Sequence, residues 1–320
     1  MGRSIYSALR GCLKAALIGL LALQCGLLSA QLTQVTLVLS EDTEVHRQVV
    51  ATIQGILEQG PGPRLASRTL TLKDLATRSD RNAGELLVPI GTAAAQGVAA
   101  LDLPIPILNT LIPKQVYEKI LQGQPALDAR RFSALFLDQP PRRQARLVRL
   151  AFPDRLRVGL LLGPDSQNFQ PAIAAALRAQ GLQVAVEKSA STEELAPALN
   201  RLLGHSDLLL AVPDPLVYNR NTLANLLLIT FRSQKPVLGY SEANVRAGAL
   251  LALYTSPAQA ARQTAELILA LASGRASLGT PYYPKYFELA INETVARSLA
   301  ISLPQEAVLK ARLEAMESAD

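Results

Sequence analysis

Tryptophan is absent, and tyrosine and phenylalanine bring the aromatic share only to 4%. The core volume must therefore come from Leu, Ala, Val and Ile. Hydrophobic residues make up 49% of the 320 residues and charged residues 18%, which excludes a chain too polar to bury a core. Cysteine occurs twice, as Cys12 and Cys25, both close to the N-terminus. The rest of the chain has neither a disulfide framework nor a thiolate nucleophile. The two histidines, His46 and His205, lie in different segments without metal-ligand spacing. No Gly-Lys-Ser/Thr phosphate loop occurs, and the loop around Ser166 lacks the glycine pattern of a nucleophile elbow. These absences argue against an enzyme and against a bound metal or cofactor.

The first thirty residues differ from the rest of the chain. Arg3, Arg10 and Lys14 form a basic start, an apolar stretch runs from Leu13 to Leu28, and Leu28-Ser29-Ala30 offers small residues for cleavage. That order reads as a secretory signal peptide, with Gln31 as the new N-terminus. An uncleaved anchor is the alternative, although the apolar run is short of the roughly 20 residues a membrane span needs. Cys25 raises lipidation as another, against the poor lead-in Ala22-Leu23-Gln24. The three cations of this segment supply half of the formal charge of +6. The remaining charge is too mild to imply a nucleic-acid partner.

Beyond residue 31, short apolar runs alternate with longer helical patterns. Val35–Leu39, Leu65–Leu72, Glu85–Ile90, Ile105–Leu108 and Ala134–Leu137 read as strands, and Val45, Val49, Ile53, Ile56 and Leu57 share a helical face. Gly60-Pro61-Gly62-Pro63 stops that helix. The pattern restarts with Arg157–Leu162, Gln183–Val186, Asp207–Val212, Pro236–Gly239 and Leu250–Tyr254. Ser191 with Glu194, and Ser256 with Gln259 around Pro257, have the spacing of capping boxes. Strands apolar along their whole length and separated by helices predict parallel sheets covered on both faces. The expected fold class is α/β, with two Rossmann-like lobes. Ligands in such sheets bind beyond the carboxyl ends of the strands.

Certain words of the sequence carry a resemblance. They are Leu137-Asp138-Gln139-Pro140 through Arg143-Gln144, Leu150–Pro153, Arg157–Leu161, Lys235–Gly239, Arg246–Leu250, Arg262–Ala265 and Glu288–Asn292. Over about Ser133 to Leu303 the chain resembles bacterial ABC-transporter substrate-binding proteins of the tryptophan/tyrosine-binding-like group. The resemblance implies a periplasmic-binding-protein type I fold, with lobes joined by a hinge, that captures an amino-acid-like or other small organic solute. It implies an ABC permease as partner and a monomer; a sensor or adaptor feeding a membrane signalling protein is the alternative. The expected division is 31–138 plus about 247–281 for one lobe and 139–246 plus about 282–320 for the other.

Candidate ligand contacts are the polar residues that come directly after these strands. Gly91-Thr92 opens a helix whose free N–H groups suit an anion. Asn109 ends the next strand. In the second lobe, Asp214 could pair with a ligand amine or cap a helix, and Tyr240-Ser241 offers a ring face and hydroxyls. Members of the resembled group that bind amino acids often carry an acid near Ser256, where this chain has a cap. Asp214 or Glu242 would have to replace that charge. If Gly91-Thr92 faces Tyr240-Ser241, a small anionic or amphipathic solute is expected. Arg142, Arg146 and Arg149 form a stripe with Arg143 beside it, which reads as a solvated face or a docking surface. Intact-mass analysis of the periplasmic protein should find a chain starting at Gln31. A mass that retains the first thirty residues, or a diacylated Cys25, would reject the soluble exported form.

Overall fold

The computed structural model describes residues 32–60, 63–77, 84–125 and 127–318. The proposed signal segment, its cleavage site, both cysteines, Pro61 and Gly62 lie outside the described residues. The first series runs β1 (Gln34–Leu39), α1 (Glu44–Gln59), β2 (Ala66–Thr71), α2 (Leu72–Thr77), β3 (Leu86–Ile90), α3 (Thr92–Ala100), β4 (Ile107–Ile112), α4 (Lys114–Gly123) and β5 (Phe132–Phe136). The second begins with α5 (Pro141–Ala151), β6 (Arg157–Leu162), α6 (Gln170–Ala179), β7 (Gln183–Lys188), α7 (Leu195–Gly204), β8 (Leu208–Leu210) and α8 (Leu223–Arg232). It continues with β9 (Val237–Gly239), α9 (Glu242–Ala247), β10 (Leu251–Tyr254), α10 (Pro257–Ala272), β11 (Glu288–Ile291), α11 (Glu293–Ser298) and α12 (Glu306–Ser318).

Two sheets result, in the orders β2-β1-β3-β4-β5 and β7-β6-β8-β9-β10-β11. Apart from the final edge strand, the second order repeats the first. All pairings are parallel except that of β10 with β11. Buried strands such as Leu86–Ile90, shielded along their whole length, are continuously apolar for this reason. Strand β11 lies at the edge and is only partly buried, so it carries the weaker apolar signal of Glu288-Leu289-Ala290-Ile291.

Helix α10 crosses back to the first sheet. Its Ala261, Ala265, Ile268 and Leu269 join Val49, Ile53 and Leu57 of α1 in one core over Val35, Leu37 and Val88. Burying each of the larger apolar side chains is worth about 1.5–3 kcal/mol. The capping box of Ser256 and Gln259 is formed at the start of this helix. That of Ser191 and Glu194 is not: α7 starts at Leu195, and the Glu194 carboxylate accepts the Ala190 N–H at 3.0 Å. Residues 247–256, expected with the first lobe, supply β10 of the second sheet, because the buried run Leu250–Leu253 finds a ladder there and the Leu250 N–H reaches the Val237 carbonyl.

The arginine stripe is also corrected. Arg142 and Arg149 are exposed, but Arg143 and Arg146 are 5% and 6% exposed beneath α12. Arg143 makes a bidentate pair with Glu317, at 2.5 and 2.8 Å, and stacks 4.5 Å from the centre of the Phe287 ring. Arg146 donates to the Met316 carbonyl in the last turn of α12, where a cation is favoured.

The chain passes between the sheets three times: after β5, after β10 and before β11. One string of hydrogen bonds ties these passages. Gln139 Nε2 donates to Thr255 Oγ1 at 2.8 Å, and Thr255 Oγ1 donates to the Tyr286 carbonyl at 2.9 Å. Arg143 Nη1 donates to both Gln139 Oε1 and the Pro284 carbonyl at 2.8 Å. Thr255→Val keeps the shape but leaves Gln139 Nε2 and the Tyr286 carbonyl without this partner. Urea unfolding should show a loss of about 1–3 kcal/mol; an unchanged midpoint would mean that water replaces the bond at no cost.

Candidate functional site

A cavity of about 360 Å³ opens where the crossings meet the carboxyl ends of the second sheet. Ala211 and Pro213 follow β8, Tyr240, Ser241 and Glu242 follow β9, and Thr255 and Pro257 follow β10. The opposite wall is Pro113, after β4, with Leu137, Asp138 and Gln139 of the first crossing. Leu210, Leu238 and Leu253 make an apolar floor.

The first-sheet wall depends on an irregular strand end. The pairing of β4 with β5 shifts register between Asn109 and Ile112, and Leu111 sits at φ 56°, a conformation unfavourable for leucine. Bulges of this kind re-aim a strand beside a site. Pro113 is thereby brought to the cavity wall, and the Lys114 N–H next to it donates to Asp138 Oδ2 at 2.6 Å. Burial pushes the Asp138 carboxyl above the ordinary carboxylate range, against the opposing pull of that N–H and of the Lys114 charge. The Lys114 ammonium lies 3.6 Å from Glu118, within 5.1 Å of the centre of the Phe169 ring and 3.3 Å from the Tyr283 hydroxyl. Lys119 of α4 meets Asp165, which follows β6, at 2.6 Å. This side of the interface is therefore already bridged.

Of the residues expected from sequence to touch a ligand, the cavity gathers two, Tyr240 and Ser241. Tyr240 is half-buried and packs edge-on against Tyr218 at 6.0 Å between centres. Burial, with Asp214 and Asp138 nearby, pushes its hydroxyl up to about 12, so it stays protonated at neutral pH. Ser241 caps α9 through the Asn244 N–H, at 3.2 Å.

Gly91, Thr92, Asn109 and Asp214 do not line this cavity. Gly91, at φ 89°, donates its N–H to the Thr110 carbonyl and abuts His46, 3.2 Å from where a Cβ would sit. Thr92 is the first residue of α3 and half-buried. Asn109 is fully buried; its Nδ2 donates to the Ser133 carbonyl, and its Oδ1 has no partner. Asp214 is turned into the protein. It accepts the Asp165 and Ser166 N–H groups and the Ser166 hydroxyl on Oδ2, and the Leu216 and Val217 N–H groups on Oδ1. Gly163 lets the loop after β6 wrap this carboxylate, since a Cβ there would collide with it. Loop geometry uses up the acid that sequence position offered to a ligand amine.

Asp138 and Gln139 were legible only as part of the crossing. Nothing in the local pattern marks them as cavity residues, because the second wall comes from elsewhere in the chain. Among the described residues, no group of three or more His, Cys, Asp or Glu side chains could hold a metal ion, and no helix is long and apolar enough to cross a membrane.

The raised Asp138 carboxyl sets a pH signature. Its ionisation costs the folded state more than the unfolded chain. Stability from this group is therefore full below the unfolded value, ~3.9, and is lost as pH rises through the folded value. Asp138→Asn removes that loss while its amide oxygen can still accept the Lys114 N–H. The unliganded variant should melt above the wild type at pH 7, with the gap closing as pH falls below ~4. A variant that melts lower at pH 7, by scanning calorimetry, would make Asp138 a stabilising residue.

Comparison with known proteins agrees with this fold. The family described as ABC transporter substrate binding protein matches residues 71–315. A Streptococcus pneumonia ABC domain solved in complex with L-Trp is 19% identical, with 87% of this chain and 97% of that one covered and a TM-score of 0.58. A conserved domain protein from Vibrio cholerae has the same identity and TM-score, covering 88% of this chain and 98% of its own. A ligand-free, open substrate binding protein with adhesive properties from Clostridium difficile is 16% identical, with 85% and 96% covered and a TM-score of 0.64. At these identities the likeness is one of fold, that of the type I periplasmic binding proteins. No curated protein matches. The matched span takes in the whole second sheet and β3–β5 of the first, and the chain belongs to the ABC transporter substrate binding protein family.

Proposed function

We propose that this chain is the periplasmic solute-binding component of an ABC-type uptake system, taking a small organic solute into the cavity between Asp138 and Tyr240. The observation that carries the reading is the position of that cavity. It lies beyond the carboxyl ends of β8, β9 and β10, with a wall drawn from each sheet, so a solute touches both lobes at once. The lobes are taken as one built on β1–β5 with α10 and one built on β6–β11 with α12. The chain works as a monomer that delivers its solute to an ABC permease, and it performs no catalysis. A solute that bridges the walls favours the closed arrangement by its extra contacts there.

Binding to the folded state alone stabilises by RT ln(1 + [L]/Kd), about 2.7 kcal/mol at a hundredfold excess over Kd. A thermal-shift screen of amino acids, small acids, amines and nucleosides should find a solute that raises the melt by several degrees. Tyr240→Ala should lose most of that rise. Its unliganded melt should fall only by the loss of the Tyr218 contact, about 0.5–1.5 kcal/mol. An unchanged rise in Tyr240→Ala would place the solute elsewhere, and silence across the screen would reject the receptor reading.

A further inference from the structure

We infer that the solute is an amphipathic organic cation, carrying an amine and no carboxylate, held by Asp138 against the Tyr240 and Tyr254 rings. This rests on the solute-binding reading and specifies its ligand class. The charged side chains that line the cavity are Asp138 and Glu242; none is a lysine, arginine or histidine. A carboxylate placed there would be desolvated beside Asp138 with no cation among the lining side chains to meet it, which is unfavourable. Of the cations beside the lining, Lys114 lies against Glu118 and Phe169, and Arg246 is paired with Glu242 at 2.8 Å. The Gly91-Thr92 turn, whose N–H groups suit an anion, is not part of the wall. A zwitterionic amino acid would thus find a partner for its ammonium and none for its carboxylate.

The complement of the site is an amine. Asp138 Oδ2 accepts the Lys114 N–H and the carboxylate also takes its own backbone N–H, which leaves lone pairs for about two more donors. Burial raises the proton affinity of this carboxyl, and an ammonium placed beside it would oppose that. Leu210, Leu238 and Leu253 receive an apolar body, and Tyr240 and Tyr254 add aromatic rings to the same lining, a surface that favours a cation. The anionic solute suggested by the Gly91-Thr92 turn is the opposite expectation, and the cavity's charge reverses it.

Matched series test this on the protein purified from the periplasm, by calorimetric titration. One series is phenethylamine, phenylalanine and 3-phenylpropionate; the other is tryptamine, tryptophan and 3-indolepropionate. The amine should bind at least tenfold more tightly than the amino acid, and the acid should not bind. Asp138→Asn, checked for folding by circular dichroism, should weaken the amine at least tenfold. The wild type supplies the same reading without a variant. Amine affinity should fall on acidification as Asp138 takes up a proton, with Lys114, Glu118, Tyr240 and Glu242 the other titratable groups around it. An amino acid or acid that outbinds its amine, or amine affinity indifferent to both Asp138→Asn and pH, overturns the assignment of charge and leaves the receptor reading standing. If the series are silent, the broad screen decides. A carboxylate-bearing hit overturns the charge assignment alone, a hit with an amine and no carboxylate supports it, and silence there overturns both.

Discussion

The Gln139 side chain holds together the place where the chain changes sheets. Backbone passing between two sheets has no ladder to pair with, and unsatisfied polar groups there are costly. Gln139 meets the problem from both ends of its amide, donating to Thr255 of the second passage and accepting from Arg143. Thr255 passes the bond on to Tyr286 of the third, and Arg143 reaches Pro284 on the same stretch. Arg143 also binds Glu317, so the C-terminal helix is fastened to the crossings. Three passages far apart in sequence become one mechanical element. Any rotation of one sheet against the other must respect this string.

The cavity inherits its character from that junction. Its second-sheet wall is made of loops that continue from buried strands and is set by ordinary strand-to-helix turns. Its other wall exists only because the first passage leaves β5 beside the bulged end of β4. Asp138 lies on this second wall, with the Lys114 N–H and its own N–H as backbone donors and a raised proton affinity. Asp214 is the contrast within the same chain: its Oδ2 is spent on the loop after β6, which it holds in place, and its Oδ1 on the N–H groups of its own turn. One acid stabilises the fold, and the other is strained by it. An ionisable group left in the second condition beside a cavity is a mark of a binding site.

Much of the architecture was legible in the sequence, and for a clear reason. A strand buried on both faces must be apolar throughout, so runs such as Val35–Leu39 and Arg157–Leu162 announced themselves, and the helices between them announced parallel crossovers. The Ser256–Gln259 box was legible because a cap is a local device. Weaker signals came from elements whose burial is partial or comes from afar. The edge strand β11 has no continuous apolar run, and Arg143 and Arg146 look like a solvated stripe until α12 covers them.

The site divides the same way. Residues placed just after a buried strand were all equal candidates by sequence position, and Tyr240-Ser241, Asn109 and Asp214 could not be told apart by it. Sequence by itself determined the alternation of strands and helices, the repeated βα series and the local caps, because these depend on periodicity and on contacts within a few residues. Tertiary structure alone decided which polar groups remain available. That Asp214 is consumed by a loop 48 residues away, and that Asp138 faces a cavity floored by Leu210, Leu238 and Leu253, depends on distant segments meeting. Charge balance in a cavity is a sum over such meetings, and no stretch of the chain contains it.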